Sequence, residues 1–172
     1  LMLETGVTGV YEDGGELRVS LGKEEVRTDM VILSVGVRPD STLALQAGLA
    51  LNERGAVITD ENQLTSNPDI YAVGDVAEVV DYISKGKCYI PLAGPANKQA
   101  RITADHICGI PSSYKGTQGT GILRVFDLTV GTVGLTEARL NQLNIDYGKS
   151  YTWSDSHASY YPGAVNLLIK LL

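Results

Sequence analysis

Asp75 carries the clearest chemical offer in this chain. It closes the stretch Thr65-Ser66-Asn67-Pro68-Asp69-Ile70-Tyr71-Ala72-Val73-Gly74-Asp75-Val76. Asn67-Pro68-Asp69 reads as a turn, because Pro fixes φ while Asn and Asp accept local backbone hydrogen bonds. Ile70 to Val73 has the branched and aromatic composition of a short buried strand. Gly74 at its C-terminal end would let a ligand approach the backbone, and the Asp75 carboxylate could accept a hydrogen bond from a sugar-like hydroxyl. Open α/β sheets bind ligands at that end of their strands. A strand that merely ends in a Gly-Asp turn would use the same residues. A second candidate is Ser156-His157-Ala158-Ser159-Tyr160-Tyr161-Pro162-Gly163-Ala164. A phenol both donates and accepts, and an imidazole titrates near neutral pH. Read alone, the two tyrosines equally make a packed turn and the histidine a surface residue. Cys88 and Cys108 fit no metal-ligand spacing. Cys88 precedes the apolar Tyr89-Ile90 and Cys108 stands near a helix end, so both are expected to be buried structural thiols.

The elements that must position these groups follow from periodicity and punctuation. Gly6 to Gly36 reads as a meander: a strand over Val7–Tyr11, an Asp13-Gly14-Gly15 turn, then the alternating strand Leu17–Leu21. After a turn at Gly22-Lys23-Glu24-Glu25, Met30 to Gly36 is nearly all apolar, as in a central strand covered on both faces. Pro39 breaks it. A short helix spans Ser41 to Gly48, with Ser or Thr as cap and Gly48 as stop. Leu49 to Thr59 alternates around an Arg54-Gly55 turn, an antiparallel excursion in which Asn52, Glu53 and Asp60 face solvent. A helix is predicted from about Pro95 to Ile107, closed by Gly109 and Pro111. Gly116 to Gly121 has the composition of a loose linker. Ile122 to Leu135 supplies two strands about Asp127. Thr136 caps a helix over Glu137–Asn144. Tyr147–Trp153 is a further strand, and Asn166–Leu172 another, expected to pair with sequence beyond it.

The string Thr, then Pro-Asp-Ile-Tyr-Ala-x-Gly-Asp, resembles the second flavin-binding motif of the FAD-dependent pyridine nucleotide-disulfide oxidoreductases. That resemblance implies that Asp75 bonds a ribityl hydroxyl of FAD and that the Gly74 and Val76 backbone lies along the cofactor. Gly36-Val37-Arg38-Pro39 fits an ordinary meander as well as the family's return from its NAD(P)H domain; its place about forty residues before Gly74-Asp75 is the family's order. Pro91-Leu92-Ala93-Gly94-Pro95-Ala96-Asn97-Lys98-Gln99 is similar to the segment whose backbone meets the polar edge of the flavin ring. A helix N-terminus favours an electron-rich partner there. Val133-Gly134-Leu135-Thr136-Glu137 resembles the opening of the family's C-terminal domain, which implies a homodimer. His-Ala-x-Tyr-Tyr-Pro-Gly-Ala is similar to coenzyme A-disulfide reductases and their NADH oxidase and persulfide reductase relatives. The resemblance implies that Tyr161 reaches a substrate thiol across the dimer, with Tyr160 or His157 lining the flavin side and Asn97 touching substrate. A phenol suits that work because it donates to a thiolate and passes a proton. The His-x-x-x-x-Glu pair of glutathione-type reductases is missing, and so are a Gly-x-Gly-x-x-Gly fingerprint and the Ser-x-x-x-Cys segment of the redox cysteine.

The expected class is therefore α/β and α+β. Residues 1–36 would end an NAD(P)H-binding domain, 37–115 would be the C-terminal part of a Rossmann-like FAD domain, and 116–172 would begin an α+β dimerisation domain. Both ends look cut, so the chain reads as a fragment. A net charge of −6 without basic runs argues against a nucleic-acid partner. No apolar run has the length of a membrane span, and two cysteines suit a reducing cytoplasm. The leading reading is a flavoprotein passing electrons from NAD(P)H through FAD to a small disulfide, coenzyme A disulfide or a related persulfide. NADH oxidase or peroxidase chemistry on the same scaffold, and a non-catalytic dimerisation fragment, are the alternatives.

Overall fold

Gly14 and Gly15 take φ of 65° and 87°, which matches a two-residue hairpin turn to the right-handed twist of its strands. That turn joins β1 (Gly9–Asp13) to β2 (Glu16–Ser20), and β3 (Glu25–Thr28) completes an antiparallel sheet in the order β1-β2-β3. Arg18 on the middle strand pairs with Asp13 and with Glu25, whose carboxylate also accepts from Tyr11. The computed structural model describes residues 1–172, which divide into two units, Leu1–Val37 and Arg38–Leu172. The apolar run Met30–Gly36 is not a strand in the first unit. Its ladder groups find no neighbour, and Ile32, Leu33 and Val35 stay exposed. A central strand exists only where strands flank it.

The second unit begins with α1 (Thr42–Gln46). Ser41 makes no side-chain cap bond; Asp40 does the work instead, accepting from the Thr42 N–H and hydroxyl at 3.3 and 3.0 Å. Gly48, at φ +70°, stops the helix and turns the chain into the core. That core is small: Leu49, Val57, Ala72 and Ala77, with Ala44, Leu51, Ile70 and Val76 packed against it. The excursion is present as an antiparallel bridge between Leu51 and Val57. Glu53 and Asp60 face solvent. Asn52 does not: its Oδ1 accepts from the Arg54 and Ala56 amides, and its Nδ2 donates to buried Glu78 at 2.8 Å. Ile70–Val73 likewise forms only one bridge, Leu64 with Tyr71. No Rossmann-like parallel sheet forms among these residues, since no second strand lies beside that run to continue the ladder.

A 3₁₀ turn over Gly74–Val76 follows, then the hairpin β4 (Val79–Val80) and β5 (Lys87–Cys88), and the long α2 (Ala93–Ile107). α2 starts two residues before the predicted Pro95. Gly109 (φ +71°) ends it, with its N–H on His106 and the Ile110 N–H on Asp105. The expected linker is packed. Thr117 donates to the Val80 carbonyl and accepts from the Tyr82 N–H, both at 2.9 Å, and a Cβ on Gly116 would fall on the Val80 carbonyl oxygen. Here the small residues serve close approach rather than flexibility.

β6 (Gly121–Val125) and β7 (Leu128–Thr132) make a hairpin around Phe126-Asp127. Thr136 caps α3 (Glu137–Gln142), its hydroxyl accepting from the Arg139 N–H at 3.3 Å. Asn144, at φ 53°, closes α3 before the predicted end. β8 (Ser150–Asp155) and β9 (Asn166–Leu171) pair antiparallel from Ser150–Leu171 to Asp155–Asn166. β9 was expected to pair with sequence beyond it; it takes β8 instead, which precedes it by one loop. No helix is long and apolar enough to cross a membrane.

Candidate functional site

Gly74 stands where the core meets α2. Its φ of +79° is a left-handed conformation, and a Cβ built there would meet the Ala96 methyl at 3.7 Å. Glycine is therefore needed for the backbone angle more than for space. The Gly74 N–H donates to Gln99 Oε1 at 2.8 Å, while its carbonyl accepts from the Ala77 N–H at 3.0 Å. Gln99 is fully buried, which makes this bond the link between the 3₁₀ turn and the inner face of α2. Val76 belongs to the packed side of the turn. Asp75 projects the other way: it is exposed, and its carboxylate accepts no hydrogen bond from the protein.

The start of α2 is equally open. Its cap residue, Leu92, has no side chain that can accept, and no acidic residue occupies the first turn. The Ala93 and Gly94 amides thus remain free at the positive end of the helix. Pro91 and Leu92 lead in half-buried, and Ala93 is exposed. Asn97 is exposed too and folds back on its own helix, donating to the Ala93 carbonyl at 2.9 Å. A cleft of about 340 Å³ runs beside this turn, lined by Gly94, Pro95, Lys98, Lys115 and Thr117 among others.

Two buried polar atoms here have no protein partner, Gln99 Nε2 and the Tyr89 hydroxyl. Burial, then the nearby Asp75 charge, raises the Tyr89 phenol above its ordinary value. Buried polar groups are seldom left unpaired, so each is open to a water or to a group from outside the chain. Together with the glycine, the bare carboxylate and the uncapped helix, they fit a cofactor bearing hydroxyls and a polar, electron-rich ring edge. Tyr89 and Gln99 were missed as site residues by sequence reasoning. For Gln99 a signal existed, since a glutamine one turn inside an otherwise small-residue helix face must find a buried partner.

The tyrosine loop is a different construction. Tyr160 and Tyr161 stack with ring centroids 4.9 Å apart, yet stay 82% and 60% exposed. The Tyr161 N–H donates to the Ala158 carbonyl, and His157 Nδ1 lies 3.1 Å from Ser156 Oγ. The structure gathers Gly74, Asp75 and Val76 with the start of α2, but neither β8 nor β9 packs on those elements. His157, Tyr160 and Tyr161 stand on the loop between these strands, and their expected approach to the site is across a dimer. The larger cleft, about 620 Å³, is lined by Tyr89 but by none of the site residues expected from the sequence. Cys88 lines it; burial and the Asp81 charge push that thiol up to about 11, so it stays protonated and unreactive. Cys108 is exposed rather than buried, because it falls on the outward side where α2 ends.

The family described as pyridine nucleotide-disulphide oxidoreductase matches residues 1–100. Reduced CoADR-RHD of Bacillus anthracis, a solved structure, is 49% identical with a TM-score of 0.88, over 97% of this chain and 30% of that one. The NAD(P)H sulfur oxidoreductase (CoA-dependent) of Pyrococcus furiosus is 34% identical over 95% of this chain and 35% of its own length. The coenzyme A disulfide reductase of Staphylococcus aureus is 34% identical over 92% of this chain and 36% of its own. The chain spans about a third of the length of these relatives.

Proposed function

This chain belongs to the pyridine nucleotide-disulphide oxidoreductase family, and we propose that it forms the C-terminal part of an FAD-dependent enzyme that takes electrons from NAD(P)H and reduces a small disulfide. Coenzyme A disulfide or a related persulfide is the acceptor that the relatives' chemistry favours. The observation that carries this reading is the Gly74–α2 junction, a carboxylate and a helix start both left without protein partners. Bound FAD supplies the two-electron relay between nicotinamide and sulfur. Asp75 would accept from a ribityl hydroxyl. The Gly74 backbone would lie against the cofactor, with Val76 behind it, and Pro91, Leu92 and Ala93 would bring the free amides of α2 to the ring's polar edge.

Tyr161 would hold the proton that a departing thiolate needs, with Tyr160 and His157 beside the flavin and Asn97 toward the substrate. Residues 1–36, 37–115 and 116–172 would serve as the end of the NAD(P)H domain, part of the FAD domain and the start of a dimerisation domain. A homodimer in the cytoplasm completes the proposal. Uncovered apolar side chains on the last four strands support the dimer, among them Ile122, Leu128, Trp153 and Leu168.

Asp75→Ala in the flavoprotein tests the cofactor site. Loss of a charge-assisted hydrogen bond should weaken FAD binding roughly ten- to a hundredfold with the fold intact. Full flavin retention through gel filtration and mild chaotrope would remove Asp75 from the site.

A further inference from the structure

Glu137 is the first residue of α3, yet its carboxylate serves another element. Oε1 accepts from Lys149 Nζ at 2.8 Å and from the Tyr147 hydroxyl at 3.1 Å, and Oε2 accepts from Lys170 Nζ. Lys149 immediately precedes β8, and Lys170 lies near the end of β9, opposite Tyr151. One carboxylate thus grips both strands at the open end of their hairpin. Within these residues neither strand packs on another helix or strand, and no other hydrogen bond joins residues 147–172 to the chain before them.

The loop bearing Tyr160 and Tyr161 lies beyond the closed end. At about 3.4 Å per residue, that end is roughly 17 Å from the clamp, so a tilt of about 5° at the base moves it by about 1.5 Å. A misplacement of about 1 Å can cost a reaction roughly 10²-fold. We infer that Glu137 is a positioning residue for the tyrosine loop: it docks the hairpin's open end on α3 and thereby fixes where the two phenols stand. The inference rests on the reading of Tyr161 as the proton donor to a thiolate, and its test separates the two.

The first measurement is hydrogen exchange on the chain carrying Glu137→Gln, which keeps the side chain's size and removes its charge. Protection should be lost across residues 147–171 and retained in α2. The second uses the flavoprotein and its two half-reactions. Glu137→Gln should slow reoxidation by coenzyme A disulfide roughly 10–10²-fold and leave flavin reduction by NAD(P)H at the parent rate. The double variant with Tyr161→Phe should be no slower than Tyr161→Phe alone. A merely structural role would slow both half-reactions or add to the Tyr161 effect. Should Glu137→Gln fail to fold, Lys149→Gln and Lys170→Gln each remove one arm and should give smaller effects of the same kind. Unchanged protection overturns the inference, as does a parent-rate Glu137→Gln beside a slow Tyr161→Phe. Lost protection with a parent-rate Tyr161→Phe upholds the docking role of Glu137 and removes the Tyr161 reading instead.

Discussion

At Gly74 the backbone is held from two directions, by the buried Gln99 side chain and by the turn bond from Ala77. Its functional groups then point away from the packing that fixes them. The tyrosine loop has the reverse arrangement. Its phenols are the exposed part, and the hairpin beneath them is tied down by one carboxylate. The proposed cofactor site is built into buried hydrogen bonds, whose loss costs stability. The phenols proposed to meet substrate are carried on a hairpin whose placement is easier to alter. The two regions should therefore fail differently, and mutations can be sorted by which kind of failure they cause.

The largest effect should come from the hairpin's tip. Tyr161→Phe keeps the ring, removes only the hydroxyl, and should slow thiolate departure roughly 10²–10⁴-fold while NAD(P)H still reduces the flavin. Stopped-flow traces of the two half-reactions check it, and slowing confined to flavin reduction would put Tyr161 on the wrong side. Gly116→Ala changes no group proposed to touch cofactor or substrate but forces a Cβ onto the Val80 carbonyl at φ +94°. It should cost about 3 kcal/mol of stability, read by urea unfolding, with flavin retention unaltered in what folds. Gln99→Leu strikes the built junction. It strands the Gly74 N–H, so about 1–3 kcal/mol of stability should go, and flavin retention with it. Stability lost without flavin would confine Gln99 to packing.

The smallest effect is electrostatic. Hydrogen bonds from Lys149, Lys170 and Tyr147 hold the Glu137 carboxyl at about 2, against an ordinary value of 4.5. A depressed carboxyl contributes stability that is complete above its unfolded value and is lost as pH falls through the folded one. Hairpin protection should accordingly hold above pH 4.5 and fade from there toward about 2. An NMR titration of Glu137 that turns near 4.5 would show that the clamp adds nothing.

Local chemistry was legible in the sequence where one residue decides the structure. Gly14-Gly15, Gly48, Gly109 and the Thr136 cap each stand where the backbone requires them. Long apolar runs misled. Met30–Gly36 and Ile70–Val73 have strand composition, but a strand is a relation between segments; the first finds no ladder partner and the second only the single Leu64–Tyr71 bridge. Gly116–Gly121 misled in the opposite sense, because small residues signal close packing as readily as freedom. At the candidate site, the motif marked the Gly74-Asp75 turn, where Gly74 takes a left-handed φ and Asp75 is exposed. Gln99 left only the hint of a glutamine on a small-residue helix face, and Glu137 left none, since their partners are distant in sequence, Gly74 for one and Lys149 and Lys170 for the other.

The proposed route takes electrons from NAD(P)H through a flavin at the Gly74–α2 junction to a disulfide. Its most direct test is an anaerobic titration of the flavoprotein. NAD(P)H should bleach the flavin, and coenzyme A disulfide should then restore its colour while each disulfide is released as its two thiols. Flavin that stays bleached with the disulfide and recovers only when oxygen is admitted would contradict the claim.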